Sequence, residues 1–451
     1  MAVHRSTKGL TLPVAGEPEL VVDSPSRPRR VALLGDDYPG LRPTMFVKVG
    51  DEVGTGSLLF EDKRNPGVRF TSPGSGRVSA IHRGERRAFR SMVIELSSGE
   101  SCVSFRAFTG KHPSSLSRTE VMDLLLESGE WTALRARPFG GVASPAMRPH
   151  SIFVTAMDTN PLAAPGDVLL TGAEADFERG LAALAKLSDG AVFVCTAEPS
   201  RVPVPPKQPF RHERFRGPHP AGTVGYHIHV LDPVDRNKTV WYIGLQDVVA
   251  FGRLFERGEL DLSRLVSFAG PKVRRPRLLK TRRGAFLDEL VEGELRPGDS
   301  RIISGSVLSG RRAMGDAEGY LGRYHQQVSV IGEDRERVFL GWLTPGRNKF
   351  SVKPVFLSRL LPGRKLDLRT STHGSRRAII PIGSYEQVMP MDILPTFLLR
   401  ALVMQDVERA QELGCLELEE EDLALCTFAD VGKNNFGAHL RRVLTTIQKE
   451  G

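Results

Sequence analysis

"PTMFVKVGDEVGTGSLLFED" (43–62) and "TSPGSGRVSAI" (71–81) decide how this chain begins to fold. Apolar residues alternate through the first stretch, and glycine turns interrupt it at Gly50–Asp51 and again at Gly54–Gly56. A period of two broken by such turns predicts short strands joined by hairpins, and glycine supplies the positive φ that tight hairpins demand. "VRFTSPGSGRVSAIHRG" (68–84) adds two strands around Ser72–Gly76, and "SMVIEL" (91–96) adds another. No strong helical pattern occurs in the first hundred residues. A compact β-domain over 1–105 is expected.

From about 117 the pattern changes. "SRTEVMDLLLESGEWTAL" (117–134) has helical periodicity, with acidic residues early and Gly129 near its end. "SIFVTAM" (151–157) and "GAVFVCT" (190–196) are apolar, β-branched runs separated by the amphipathic "EADFERGLAALAKL" (174–187). Strand, helix and strand in that order imply a parallel sheet, here a Rossmann-like α/β domain over 115–254. Residues 255–335 read as strands around one short helix, a β-grasp (SLBB-like) arrangement. Residues 336–380 read as a β-rich connection that includes "RVFLGWL" (337–343). The remainder, 381–451, is helical; "TFLLRALVMQDVERAQELG" (396–414) is expected as a helix with Pro395 before it and Gly414 at its C-cap. The fold class is therefore a multidomain mixture of α+β and α/β.

Composition narrows the function classes. Four cysteines (102, 195, 415, 426) are too sparse for a disulfide framework, so a reducing compartment is expected. The N-terminus has no signal-peptide core. The most apolar stretch, "ILPTFLLRALVM" (393–404), is interrupted by Arg400 and falls short of the ~20 residues a membrane span needs. A net charge of +9 favours an anionic partner. The densest basic run, "KVRRPRLLKTRR" (272–283), lacks the aromatics of a single-strand binder and reads best as a solvated edge.

Familiar chemical motifs are missing. No phosphate loop, no G-x-G-x-x-G opening a helix, no H-E-x-x-H, no G-x-S-x-G and no C-x-x-C occurs. His227 and His229 in "GYHIHV" would share a face on a strand, yet no third ligand accompanies them, and packing roles are expected. "GCLELEEEDLALC" (414–426) holds two cysteines eleven apart around an acidic run. An iron–sulfur cluster needs four thiolates, and the acidic residues would repel an anionic one. No metal site and no catalytic residue is expected.

Two resemblances carry the reading further. The V-x-x-G-D-x-V-x-x-G-x-x-L pattern followed by "SPGSGRV" resembles biotinyl/lipoyl-type barrel-sandwich domains. Lys63 departs from the position of a modified carrier lysine and reads as structural. The whole chain resembles the NqrA family, the A subunits of the bacterial Na+-translocating NADH:quinone oxidoreductases. The resemblance runs through "KGLTLPVAGEPE", "VALLGDDYPGLRPTMFVKVGDEV", "WTALRARPFGG", "FVTAMDTNPLA", "GPHPAGTVGYHIH", "MPMDILPTFLLRAL" and "LGCLELEEEDLALCTF" among others, in order from 8 to 428. That family is itself similar to the electron-entry subunits of complex I and of the Rnf complex, which bind FMN and carry a cluster. Where those have a glycine-rich flavin loop, this chain has "RPFGGVASPA" (137–146). Where they have an acidic A-E-C-E-P segment, it has "AMDTNP" (156–161), with Asp158 keeping one carboxylate and Asn160 replacing the other. "GCLELEEEDLALCTF" looks like a cluster module with two cysteines gone.

The resemblance implies a peripheral subunit with no redox cofactor of its own. NAD, flavins, iron–sulfur centres and Na+ passage would belong to partner subunits of the complex. The chain would sit on the cytoplasmic face of the inner membrane and be associated with ubiquinone, without nucleic acid. The stretches matching the family's proposed quinone region are "LGDDYPGL" (34–41) and "LRARPFGG" (134–141). They make Asp37, Tyr38, Arg135, Arg137 and Phe139 the candidate quinone-binding residues: Tyr38 and Phe139 suit stacking, and Arg135 or Arg137 suits a quinol anion. Alternatively, "GDDYPG" is only a turn before the first barrel strand and the arginines face another chain of the complex. Two other functions stay open: an autonomous flavin-dependent NADH dehydrogenase, which predicts a yellow protein, and a polyanion-binding adaptor, which predicts salt-dependent binding.

Overall fold

The computed structural model describes residues 2–25, 27–335, 340–341, 343–361 and 363–450. Between residues 30 and 96 two small antiparallel sheets form the expected barrel-sandwich. One runs Arg30–Leu34, Phe89–Leu96, Gly76–Arg83, Glu52–Val53, and the other Pro43–Met45, Leu58–Asp62, Arg69–Thr71. Gly50 and Gly56 take φ of 100° and 87°, the left-handed conformation the two turns require.

The α/β domain is built on a six-stranded sheet. Its order is Val3–Arg5, Phe210–Arg216, Val192–Ala197, Ile152–Thr155, Val240–Gly244, Arg135–Arg137, all parallel except the last. The chain leaves Ile152–Thr155 toward one side and later returns on its other side, which makes a topological switch point between Ile152–Thr155 and Val240–Gly244. Alternation along the strands feeds two cores. Ile152, Val154, Trp241 and Ile243 pack with the helices Glu174–Leu184 and Leu245–Arg257 and onward to the barrel. Phe153, Cys195, Val240 and Tyr242 pack with Val224–Leu231 and the C-terminal helices. The first helix, Arg118–Ser128, starts at a capping box in which Ser117 and Glu120 satisfy each other's backbone donors.

A second six-stranded sheet forms the β-grasp unit, with the short helix Leu287–Leu290 beside it. The first 25 residues do not remain with the barrel that follows them. Val3–Arg5 joins the α/β sheet, and Glu19–Asp23 pairs with Arg277–Arg282 at the edge of the β-grasp sheet.

Three expectations are corrected. "HQQVSVI" supplies the strand Gln327–Gly332, but the described residues from 340 to 380 hold only isolated bridges, Val14↔Leu366 and Gly332↔Arg369, and a short turn at Leu357–Leu360. The strand expected at "RVFLGWL" lies largely outside the described residues. The single helix expected over 396–414 is two, Pro395–Met404 and Val407–Glu412. Gln405 at φ 58° breaks the run, and the Asp406 side chain caps the second helix. His227 and His229 lie on the helix Val224–Leu231, not on a strand, because Thr223 caps a helix start there. On a helix, two residues apart means opposite sides.

Candidate functional site: a hairpin clasped by the C-terminal region

At the switch point, outside the carboxyl ends of Ile152–Thr155 and Val240–Gly244, lies a crevice of about 160 Å³. Arg135, Asp158, Tyr242 and Tyr324 line it, with Glu421 of the C-terminal region as part of the wall. This is where doubly wound sheets bind their ligands.

"LRARPFGG" folds as a hairpin against the sheet edge. Arg135–Arg137 pairs with Val240–Gly244, and the chain turns through Phe139 at φ 83° to a bridge between Arg135 and Val142. Alternation puts Arg135 and Arg137 on one face, and both meet Glu419. The Arg137 side chain is 1% exposed; its Nη1 donates to Asp422 Oδ2 at 2.7 Å and its Nε lies 3.2 Å from Glu419 Oε1. Arg135 Nη2 donates to Glu419 Oε2 at 3.0 Å, while its guanidinium lies over the rings of Tyr242 and Tyr324 at 5.0 and 4.7 Å. The Tyr242 hydroxyl donates to Glu419 Oε1 at 2.6 Å. At the tip, Arg441 donates to the Phe139 carbonyl at 2.6 Å and pairs with Glu420. Two glycines make these approaches possible: a Cβ on Gly140 would stand 2.7 Å from Glu419 Oε1, and one on Gly225 would stand 2.1 Å from Asp422 Oδ1.

Burial works to raise the Glu419 carboxyl, but Arg135 and Arg137 outweigh it and hold it at about 2. Glu421, next along the same turn, lacks such a partner. Burial and the neighbouring Asp158 push it up to about 7, although Asn160 Nδ2 donates to it at 2.9 Å. Asp158 is itself raised by burial. The "AMDTNP" segment is thus tied to the C-terminal region through Asn160.

Asp37 and Tyr38 approach from the barrel side. Asp37 accepts from Arg311 Nη1 at 2.5 Å and from the Arg323 backbone N–H at 2.8 Å. Tyr38 is 5% exposed and packs edge-on against Phe70 and Tyr324, at 4.7 and 6.1 Å. Tyr324 therefore has Tyr38 on one side and Arg135 on the other, and its hydroxyl donates to the Thr132 carbonyl at 2.8 Å. The structure brings Asp37, Tyr38 and Arg135 together around Tyr324. It directs Arg137 and Phe139 toward the C-terminal region.

Sequence reasoning missed Glu419, Asp422, Tyr242 and Tyr324. The available signal was the acidic run 417–422, read only for its effect on thiolates; it is also the charge complement of "RAR" (135–137). Cys415 and Cys426 are buried, and burial pushes both thiols up to about 12, so they are protonated. Two thiols do not fit a cluster that needs four thiolates. The His227 ring packs at a tilt of 38° against Phe215, with centroids 4.2 Å apart, and its Nε2 lies 3.0 Å from the Ala221 carbonyl. His229 joins Glu417 to the backbone N–H of Asp392. Among the described residues, no group of three or more His, Cys, Asp or Glu is arranged to hold a metal. Lys63 is an exposed residue after Leu58–Asp62. The "KVRRPRLLKTRR" stretch is a solvated edge only in part: Arg274 and Arg275 are exposed, whereas Arg277 pairs with Asp23 and Glu294, Arg282 with Glu100 and Arg283 with Glu130. Among the described residues, no helix is long and apolar enough to cross a membrane.

Fold and site define a multidomain α/β chain whose switch-point crevice is walled in part by its own C-terminal region. Family models match in chain order: the NqrA N-terminal barrel-sandwich hybrid domain over residues 5–97, the NqrA second alpha/beta domain over 116–260 and the NQRA C-terminal domain over 265–315. Among curated relatives, the A subunit of the Na(+)-translocating NADH-quinone reductase of Hahella chejuensis is 53% identical over 444 residues, covering 98% of this chain and 99% of that one. Those of Saccharophagus degradans and Cellvibrio japonicus are each 52% identical with the same coverage. A solved NAD+-reducing [NiFe]-hydrogenase aligns at 14% identity and TM-score 0.36, covering 49% of this chain and 48% of that one. The chain belongs to the NqrA family, the A subunits of the Na(+)-translocating NADH-quinone reductases. These relatives lend no support to a free-standing flavin dehydrogenase or a polyanion adaptor.

Proposed function

We propose that the chain is the non-redox subunit of such a reductase. It docks on the other subunits of the complex, on the cytoplasmic surface of the bacterial inner membrane, and supports ubiquinone reduction to ubiquinol coupled to Na+ export. NAD, flavins and iron–sulfur centres belong to the partner subunits. The net charge of +9 suits a position beside anionic headgroups.

The observation that carries this reading is the Glu419 clasp. One carboxylate holds Arg135, Arg137 and Tyr242 together, so the hairpin is fixed to a scaffold and not left as a mobile loop. Arg135 is the most exposed of these ion-paired groups and lines the crevice. It offers a charge-assisted donor to a quinone oxygen. Tyr38 and Asp37 hold the neighbouring loop, and Arg137 and Phe139 anchor the hairpin from behind.

The test is Arg135→Gln in the assembled complex. We expect KM for ubiquinone to rise about tenfold, equivalent to ~1.4 kcal/mol of lost binding. NADH oxidation with an artificial acceptor should be unchanged. An unaltered KM removes quinone contact from this hairpin.

A further inference from the structure

The stretch 340–366 is fastened to the body of the protein at two points. Leu366 is buried and bridges Val14, and the Phe350 ring lies 6.2 Å from that of Phe428. Between these anchors other apolar side chains of the stretch turn outward. Leu343, Val355, Leu357 and Leu360 are 60, 70, 45 and 73% exposed. Of the 21 exposed large apolar side chains among the described residues, six fall within 340–361, about a twentieth of the chain. Apolar groups scattered singly over a surface need no explanation, but such a concentration marks a surface that something covers.

The same stretch carries charge of one sign. From 337 to 366 the sequence has no Asp or Glu, and between 340 and 366 it has six cations: Arg347, Lys349, Lys353, Arg359, Arg364 and Lys365. Among the described residues only Lys365 of these six meets a carboxylate, that of Glu17. Lys353, Arg359 and Arg364 line a groove of about 500 Å³ whose apolar walls include Leu10, Phe350 and Phe356. Arg364 Nη2 donates to Asn348 Oδ1 at 2.8 Å, which steadies it there. Arg359 borders the groove while Leu360, next to it on the turn Leu357–Leu360, stands in solvent. Cations and apolar groups are thus interleaved on one surface.

We propose that this groove and its rim seat an anionic phospholipid of a bilayer surface. Lys353, Arg359 and Arg364 hold the phosphate by charge-assisted hydrogen bonds, and Phe350 and Phe356 take the start of the acyl chains. Val355 and Leu360 enter the boundary between headgroups and hydrocarbon. Complementarity of charge selects this occupant. In a contact with a folded protein each cation would need its own carboxylate, and lysine is depleted from such interfaces. A headgroup layer supplies anions at every position and admits apolar side chains between them. This contact rests on the membrane-side placement proposed above and names the face that makes it.

The test is sedimentation of the full-length chain with vesicles of phosphatidylcholine, with and without phosphatidylglycerol, at physiological salt. We expect binding only where phosphatidylglycerol is present. Lys353→Gln combined with Arg359→Gln should weaken it about thirtyfold, the usual worth of two cations at an anionic surface. Val355→Asn combined with Leu360→Asn leaves the charge unchanged and should weaken it about tenfold. Arg86→Gln combined with Arg87→Gln removes the same charge from an exposed turn of the barrel and should leave binding within about twofold. Equal binding to phosphatidylcholine alone, or binding that both groove variants leave unaltered, overturns the proposal. Displacement of the vesicles by soluble glycerol phosphate overturns it too, in favour of a free-phosphate site. The assay contains no other subunit and no quinone, so its failure leaves the chain's place in the complex standing. Conversely, a chain that binds these vesicles but restores nothing to a complex stripped of it fails the functional reading alone.

Discussion

The two buried polar clusters of this chain are built from the same kinds of side chain and fasten different parts of it. Around Glu419, two arginines meet two carboxylates, with Tyr242 as an added donor. Around Asp247, Arg264, Arg283 and Arg323 are met by Asp247 and Glu130, with Asp261 close enough to act on Arg283. The first fastens a hairpin to the C-terminal region. The second ties the α/β domain to the β-grasp unit. One cluster therefore holds a loop, and the other holds domain to domain.

The sharpest way to break this comparison is to remove one arginine from each cluster. Arg137→Met takes the cation from the buried Asp422 and one of two from Glu419, and should cost about 3–5 kcal/mol in urea unfolding. Arg283→Gln takes from the buried Glu130 the side-chain donor it pairs with, and should cost a similar amount. A loss below about 1 kcal/mol for either would show that its cluster does not hold the fold.

Acid titration sharpens it next. Glu419 is held at about 2 in the folded chain against an ordinary 4.5. A depressed carboxyl contributes stability above its unfolded pKa, here about 3 kcal/mol, and loses it as pH falls from 4.5 toward 2. Glu419→Gln should flatten that part of the stability–pH curve; an unchanged acid limb would contradict the clasp.

A smaller effect of opposite sign is expected at Glu421. Its folded value of about 7 lies above its unfolded one, so the folded chain holds the proton more tightly. Stability then falls as pH rises from 4.5 to 7, by about 1–2 kcal/mol for a partly exposed group. Glu421→Gln should be more stable than the parent at pH 8 by that amount, and no different at pH 4. Chemical denaturation at the two pH values decides it.

Local pattern made the domain types legible. Alternation and glycine turns marked the barrel strands, and the order of strand, helix and strand at 151–196 marked the parallel sheet. Pattern failed where pairing is between distant segments. Val3–Arg5 and Glu19–Asp23 are short strands completed by partners about 200 and 250 residues away, and nothing in their own sequence says which sheet they join. The helix over 396–414 looked continuous because propensity ignores the one residue, Gln405, that turns left-handed. At the site, "RAR" and "GDDYPG" were legible through a family resemblance. Their partner Glu419 was not, since an acidic run gives no sign of which basic residues it will meet. The cluster at Asp247 was hidden for the same reason, with its members drawn from positions 130 to 323.

The measurement that bears most directly on the central claim is depletion and return. Complex purified through a tag on one of the partner subunits is stripped of this chain by salt, assayed for Na+-stimulated NADH:ubiquinone activity, and assayed again after the purified chain is added back. We expect the stripped complex to lose ubiquinone reduction and a colourless chain to restore it. Full activity without the chain, or a yellow chain that reduces ubiquinone with NADH by itself, would contradict a non-redox role in the complex.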